Sequence, residues 1–205
     1  MKLMVIIGSP RRGGNTDTLV DKVIEGYLSK TPAEVEKIFV TEKKLAPCCG
    51  CLSCTFPPPG TMKCLVKDDM TEILERLPSA DAFIFGTPNH MRTVSAPLLN
   101  FLARLLPLMK FMPDTNAEGH IIGGGFTSSL KDKKAAIVIS QGDPIFSSAL
   151  VHAVLERNFM DFGLRRVGDV ISRGNMLPGD AAKKQSDLEK AFQLGVALYT
   201  MAGMY

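Results

Sequence analysis

Five short apolar runs, separated by turns and by stretches with helical spacing, constrain this chain more than any other feature. Leu3 to Ile7, Val35 to Val40, Ala82 to Phe85, Ala135 to Ile139 and Val167 to Ser172 have the length of strands, and several are rich in β-branched residues. Helical spacing begins at Asn15 or Thr16, either of which can cap, and continues through Leu19, Val20, Val23, Ile24 and Tyr27. Further helices are predicted over Met70–Leu77, Ser95–Leu106, about Ser147–Asp161 and Ala181 to about Met201. Strands that alternate with helices argue an α/β domain with a parallel sheet covered on both faces. The economical strand order is 2-1-3-4-5. Ligands in such a sheet bind outside the carboxyl ends of strands one and three, where the order reverses.

The 205 residues suffice for one well-buried domain, and two would be cramped. The single domain, 1–205, would carry a cysteine-rich loop at 46–66 and a long connection at 107–134. A net charge of +3 with no Lys/Arg block argues against a nucleic-acid partner. No run approaches the ~20 apolar residues of a membrane span, and the first apolar run is too short for a signal peptide. The expectation is a cytoplasmic protein with reduced thiols.

The turn after the first run, Gly8-Ser9-Pro10-Arg11-Arg12-Gly13-Gly14, leads directly into a helix. Free N–H groups and the helix dipole there favour an anion, with Ser9, Asn15 and Thr16 as short donors and Arg11 and Arg12 as charged ones. The pattern is neither a nucleotide-triphosphate P-loop, which needs a Lys, nor G-x-G-x-x-G. It predicts a phosphate cradle. The turn after the third run reads Gly86-Thr87-Pro88-Asn89-His90-Met91-Arg92-Thr93-Val94-Ser95, and its mixed polar groups suit a ligand loop. Ser140-Gln141-Gly142-Asp143-Pro144 is a third piece on the same edge.

Ser-Pro-Arg-x-x-Gly-Asn-Thr, the Gly-Thr-Pro at 86–88, Val94-Ser95-Ala96 and Phe101-Leu102-Ala103-Arg104 resemble the NADPH-dependent FMN reductase family, whose fold is flavodoxin-like. The resemblance implies FMN with its phosphate on Ser9, Arg11, Arg12, Asn15 and Thr16. It implies a ring lined by Thr87, Pro88, Asn89, His90, Met91 and Arg92, with Gln141 or Gly142 at the pyrimidine edge. It also implies NAD(P)H as electron donor and a homodimer or homotetramer. Two positions depart from the family: an aromatic is usual at His90 and a glycine at Arg92.

All five cysteines fall between the second strand and second helix. Cys48, Cys51 and Cys54, followed by Cys64, have spacing that can converge on one [4Fe–4S] cluster. A four-cysteine zinc site and free or redox-active thiols are the competing readings. The segment resembles the iron–sulfur flavoprotein branch of the same family, which usually has a shorter gap before the fourth cysteine.

These readings make the chain an FMN-dependent oxidoreductase that passes electrons from a reduced donor through flavin to a cluster or small acceptor. The alternatives are a flavodoxin-like electron carrier or redox sensor, and a zinc-stabilised phosphate-binding module. No side chain stands out as a general acid or base. His120 and His152 read as structural, and Phe111–Lys134 as a lid over the flavin, a dimer-contact arm or a disordered connection.

Overall fold

A computed structural model of the chain describes residues 1–55 and 64–201. The Pro-Pro-Pro-Gly run at 57–60, part of the expected cysteine loop, lies outside the described residues.

In chain order, strand β1 (Lys2–Ile7) leads to helix α1 (Asn15–Leu28) and strand β2 (Glu34–Phe39). Helix α2 (Met70–Arg76), strand β3 (Ala82–His90), the short β4 (Thr93–Val94) and helix α3 (Ala96–Ala103) follow. Strands β5 (Met109–Thr115), β6 (Ile121–Ser128) and β7 (Lys134–Ser140) precede helix α4 (Ala149–Asp161). Strand β8 (Arg165–Ser172) and helix α5 (Gln185–Thr200) complete the fold.

The main sheet runs β2-β1-β3-β7-β8 with every neighbouring pair parallel. With β4 to β6 set aside, this is the predicted order 2-1-3-4-5. It arises because the strands are double-sided. Along β1, Met4 and Ile6 face one apolar cluster while Leu3, Val5 and Ile7 face the other. The same two-residue alternation places Phe83 and Phe85 opposite Ala82 and Ile84, and Ile137 and Ile139 opposite Ala136 and Val138. The first cluster is covered by α2, α3 and α4, the second by α1 and α5. Both faces being apolar, each strand must be buried between helix layers, which requires parallel crossovers.

Several boundaries differ from the sequence reading. Strand β3 runs on to His90, because Asn89 and His90 pair with Val94 and Thr93 of β4. Seven of the ten residues of the expected ligand loop therefore lie in strands β3 and β4. Gly14 occupies the N-cap of α1 and no side chain caps it. The third helix ends at Ala103 and is followed by a 3-10 turn at Leu106–Leu108. The fourth begins at Ala149, and a 3-10 turn at Ala181–Lys183 precedes α5.

The connection at 107–134 is an antiparallel hairpin, with Phe111 opposite Phe126 and their rings 5.2 Å apart. Its Met112, Ile121, Ile122 and Phe126 are exposed. Among the described residues, no helix is long and apolar enough to cross a membrane.

Candidate active site

Four strand ends of the sheet meet at one cleft. It is lined by Ser9, Pro10, Arg11, Gly14, Asn15 and Thr16 after β1, by Pro88, Asn89 and His90 at the end of β3, by Ser140 and Gly142 after β7, and by Asn175 after β8. This is the switch point, where β1 and β3 are neighbours and their chains turn to opposite faces. The first two loops are stitched together. Gly8 N–H donates to the Gly86 carbonyl at 2.8 Å, and Ser95 Oγ donates to the Gly8 carbonyl at 2.9 Å. Gly8 must lack a side chain there, since a Cβ would stand 2.5 Å from Ser95 Oγ and 2.8 Å from Leu98 Cβ.

The turn into α1 is shaped by a charge chain. Gly13 N–H donates to Asp17 Oδ2 at 2.8 Å, and Lys37 Nζ donates to Asp17 Oδ1 and Asp21 Oδ1 at 2.6 Å each. The first turn of α1, starting at Asn15, opens into the cleft with the N–H groups that no helix carbonyl can satisfy. Ser9 is buried, and its Oγ accepts from Arg11 N–H at 3.2 Å.

Of the residues predicted to hold a cofactor, Ser9, Arg11, Asn15, Thr16, Pro88, Asn89, His90 and Gly142 are brought together in this cleft. Asn15 has a second task. Its Nδ2 donates to the Leu177 carbonyl at 2.9 Å and its Oδ1 accepts from Ala181 N–H at 3.0 Å, so it ties the loop after β8 to α1.

Arg12 points elsewhere, paired with Glu42 at 2.6 and 2.7 Å and stacked over the Phe39 ring at 4.3 Å. That carboxylate raises the guanidinium's affinity for its proton, and Arg12 in turn holds Glu42 below its ordinary range. Thr87 is buried and structural: its Oγ1 donates to the Pro88 carbonyl and accepts from Ser95 N–H.

Met91 and Arg92 form the tip between β3 and β4, with φ of 49° and 65°. Met91 is 95 % exposed, and the Arg92 guanidinium lies 4.1 Å from the Phe146 ring centre. Arg92 thus occupies a left-handed position, which accounts physically for glycine being usual there.

Gln141 is buried behind the cleft. Its Nε2 donates to the Asp143 and Phe146 carbonyls at 2.7 Å each, and its Oε1 accepts from Asn89 Nδ2 at 2.7 Å. Asp143 braces the same loop by accepting from Phe146 and Ile145 N–H, which hold its carboxyl below the ordinary 3.8.

Asn175 was not anticipated. Its Nδ2 donates to Ser172 Oγ at 2.9 Å and the Ser172 carbonyl at 3.0 Å, with Ser140 Oγ at 3.2 Å. The available signal was the Arg-Gly-Asn turn directly after the fifth strand, which topology alone carries to the same edge. Two buried acceptors on the cleft residues, Asn89 Oδ1 and Asn175 Oδ1, have no hydrogen-bond partner among the described residues. Such an orphan costs roughly 1–3 kcal/mol and is relieved by a ligand N–H or O–H.

The cysteines gather at a second place. Cys48, Cys49, Cys51, Cys54 and Cys64 line one hollow against Ala103, Arg104, Leu106 and Pro107 at the end of α3. None is disulfide-bonded. Hydrogen bonding from Ser53 lowers the Cys51 thiol, while burial pushes Cys54 up. Among the described residues, no three Cys, His, Asp or Glu side chains stand in metal-ligand geometry. Five cysteine residues thus line one hollow, with the buried Arg104 in its wall.

The sequence and the fold agree with known proteins. A family model described as NADPH-dependent FMN reductase matches residues 1–160. The chain belongs to the NADPH-dependent FMN reductase family and is an FMN-dependent oxidoreductase. It is 30% identical over 196 residues to an iron-sulfur flavoprotein of Archaeoglobus fulgidus, covering 95% of this chain and 77% of that one. It is also 30% identical over 195 residues to an iron-sulfur flavoprotein of Methanocaldococcus jannaschii, covering 95% and 94%. Among solved structures, an FMN-dependent NADH-azoreductase from Bacillus anthracis in complex with FMN superposes with a TM-score of 0.68, at 15% identity over 98% of this chain and 99% of that one. This last likeness speaks to the fold.

Proposed function

We propose that the cleft at the switch point holds FMN and that the enzyme passes electrons from NAD(P)H through it to a [4Fe–4S] cluster on the cysteine segment or to a small acceptor. FMN, when bound, supplies hydride acceptance and one- or two-electron release. The observation that carries the reading is the pair of orphaned acceptors, Asn89 Oδ1 and Asn175 Oδ1, in a cleft that also receives a helix N-terminus. An anion is served at one end, and donors are sought at the other. FMN offers both, a phosphate and a face of N–H and hydroxyl groups.

The chain's own residues then divide the work. Ser9, Arg11, Thr16 and the first N–H groups of α1 hold the phosphate, while Asn15 keeps the loop after β8 in place. Gln141 fixes the Asn89 amide so that Oδ1 faces the ligand, and Ser172 does the same for Asn175. Pro88, His90 and Gly142 close the walls around the ring. Cys48, Cys51, Cys54 and Cys64 are the proposed cluster ligands, and Cys49 remains spare. The exposed apolar hairpin supports assembly with a second copy of the chain, because among the described residues its two strands pair only with each other.

Titration of the apo-protein with FMN, followed by flavin fluorescence, tests the cleft. Arg11→Ala with Thr16→Ala is expected to weaken binding by about 1.5–3 kcal/mol for each charge-assisted bond lost, at least tenfold in Kd. Arg12→Ala is expected to leave Kd unchanged, because Arg12 faces Glu42. Equal binding by all three proteins would overturn the assignment.

A further inference from the structure

We infer that Lys37, on strand β2, is a positioning residue for the cofactor phosphate: by neutralising Asp17 it keeps the first turn of α1 open to an external anion. The inference rests on the reading that the cleft holds FMN by its phosphate, and it concerns a side chain that does not itself line the cleft.

The first turn of α1 carries an anion of its own. Asp17 is the acidic residue there, and its side chain is only 6 % exposed. A carboxylate in the first turn engages the same positive end of the helix that an external anion would use, and like charges held close together repel. Asp17 also withdraws a donor from the loop, because Gly13 N–H donates to Asp17 Oδ2 at 2.8 Å. A helix start arranged in this way is a poor phosphate site unless the carboxylate is compensated.

Lys37 supplies the compensation. Its Nζ stands 2.6 Å from Asp17 Oδ1, the oxygen that Gly13 leaves free, and 2.6 Å from Asp21 Oδ1. The Asp21 side chain is exposed and screened by water, whereas the enclosed Asp17 carboxylate depends on the ammonium. The charge arrives from the neighbouring strand, since Lys37 is the register partner of Val5 on β1. Little else serves this end of the cleft. Arg12 is committed to Glu42, which leaves Arg11 as the cation among the lining residues of the loop.

The same contact fixes the backbone of the loop. Gly13 has a φ of +66°, and a Cβ there would meet nothing within 4 Å, so glycine answers the left-handed turn and not crowding. Asp17 Oδ2 holds that turn by its N–H, and Lys37 holds Asp17. Lys37 therefore acts on the loop at one remove. Without it, Asp17 keeps its bond to Gly13 and its negative charge stands unopposed beside the phosphate.

The test uses the full chain stripped of flavin, as wild type, K37M, K37R and K37M combined with D17N. Each is titrated with FMN and with riboflavin, which has the same ring and ribityl chain and no phosphate. Flavin fluorescence gives Kd, and circular dichroism checks folding. Wild type is expected to hold FMN more tightly than riboflavin. K37M is expected to weaken FMN binding roughly tenfold and to leave riboflavin binding unchanged. K37R should keep the wild-type preference. Adding D17N to K37M should restore FMN affinity, because an amide still accepts from Gly13 N–H and brings no charge to offset. An unchanged FMN Kd in K37M, equal losses for both flavins, or no recovery on adding D17N overturns the role of Lys37 and leaves the phosphate reading intact. Should the double variant fail to fold, the contrast between K37M and K37R decides the matter, and equal FMN binding by those two overturns the role. Wild type that binds both flavins equally overturns the phosphate reading and the role of Lys37 with it.

Discussion

The tip formed by Met91 and Arg92 shows how a single residue can carry opposing contributions. A left-handed φ at a residue with a Cβ costs of order 1 kcal/mol, and stacking of Arg92 on Phe146 returns about 0.5–1. Alanine at this position keeps the backbone strain and loses the stacking, whereas glycine loses both. Arg92→Ala is therefore expected to be less stable than Arg92→Gly by about 1 kcal/mol, measured by urea denaturation. Equal midpoints would show that the tip is not held in this conformation. Residues of this kind are hard to read from sequence. Arg92 was expected to line the flavin, since a loop arginine beside a strand end suggests a ligand. That Phe146, more than fifty positions away, takes its guanidinium is information that only the tertiary fold contains. Arg12, drawn to Glu42 and Phe39, is the same lesson on the other side of the cleft.

At the scale of elements, helices α1 and α5 meet backbone to backbone. A Cβ on Gly195 would stand 1.9 Å from the Val23 carbonyl oxygen, and one on Gly26 would stand 2.0 Å from that of Phe192. No rotamer relieves such a clash, so the helices must separate and open the apolar cluster beneath them. Gly195→Ala is expected to lower stability by about 3 kcal/mol or more, beyond the usual 1–3 for overpacking, despite the better helix propensity of alanine. A chemical denaturation midpoint equal to wild type would contradict the close crossing.

Most elements were legible before the structure, because the double-sided strands repeat with period two and the helices with their own spacing. The hairpin of β5 and β6 was not. Pro113 interrupts one strand and Gly123 to Gly125 the other, and these residues ordinarily break strands. What forms the ribbon is pairing across it, including the Phe111–Phe126 contact, and pairing between distant residues leaves little trace in local propensity. Of the cleft, the loops after the first, third and fourth strands were evident from their turn residues and polar groups. Asn175 escaped because its turn carries no chemistry of its own until Ser140 and Ser172 orient its amide.

For the molecule as a whole, the cleft and the cysteine hollow share no lining residue. The cleft is built from strand ends at the switch point, while the cysteine hollow leans on the end of α3. The hairpin offers a third surface. Ile121→Lys with Ile122→Lys, both exposed side chains, is expected to shift sedimenting mass toward the single chain. Thermal stability should change little, since exposed substitutions away from packed features usually lie within about 0.5 kcal/mol each. An unchanged mass would exclude the hairpin from assembly.

The pinned ends of the cysteine segment also bear on how such a chain can diversify. Lys44 N–H donates to Asp69 Oδ2 at 2.9 Å, the Lys44 carbonyl accepts from Asp69 N–H at 3.3 Å, and beside them the Arg104 guanidinium donates to both the Ala46 carbonyl and Asp68. The two limbs that flank the cysteines are thus joined by bonds that involve no sulfur. Each doubling of a flexible loop then costs only about 0.6 kcal/mol in closure. With its ends joined in this way, a change in the length of the chain between them carries little entropic cost for the sheet.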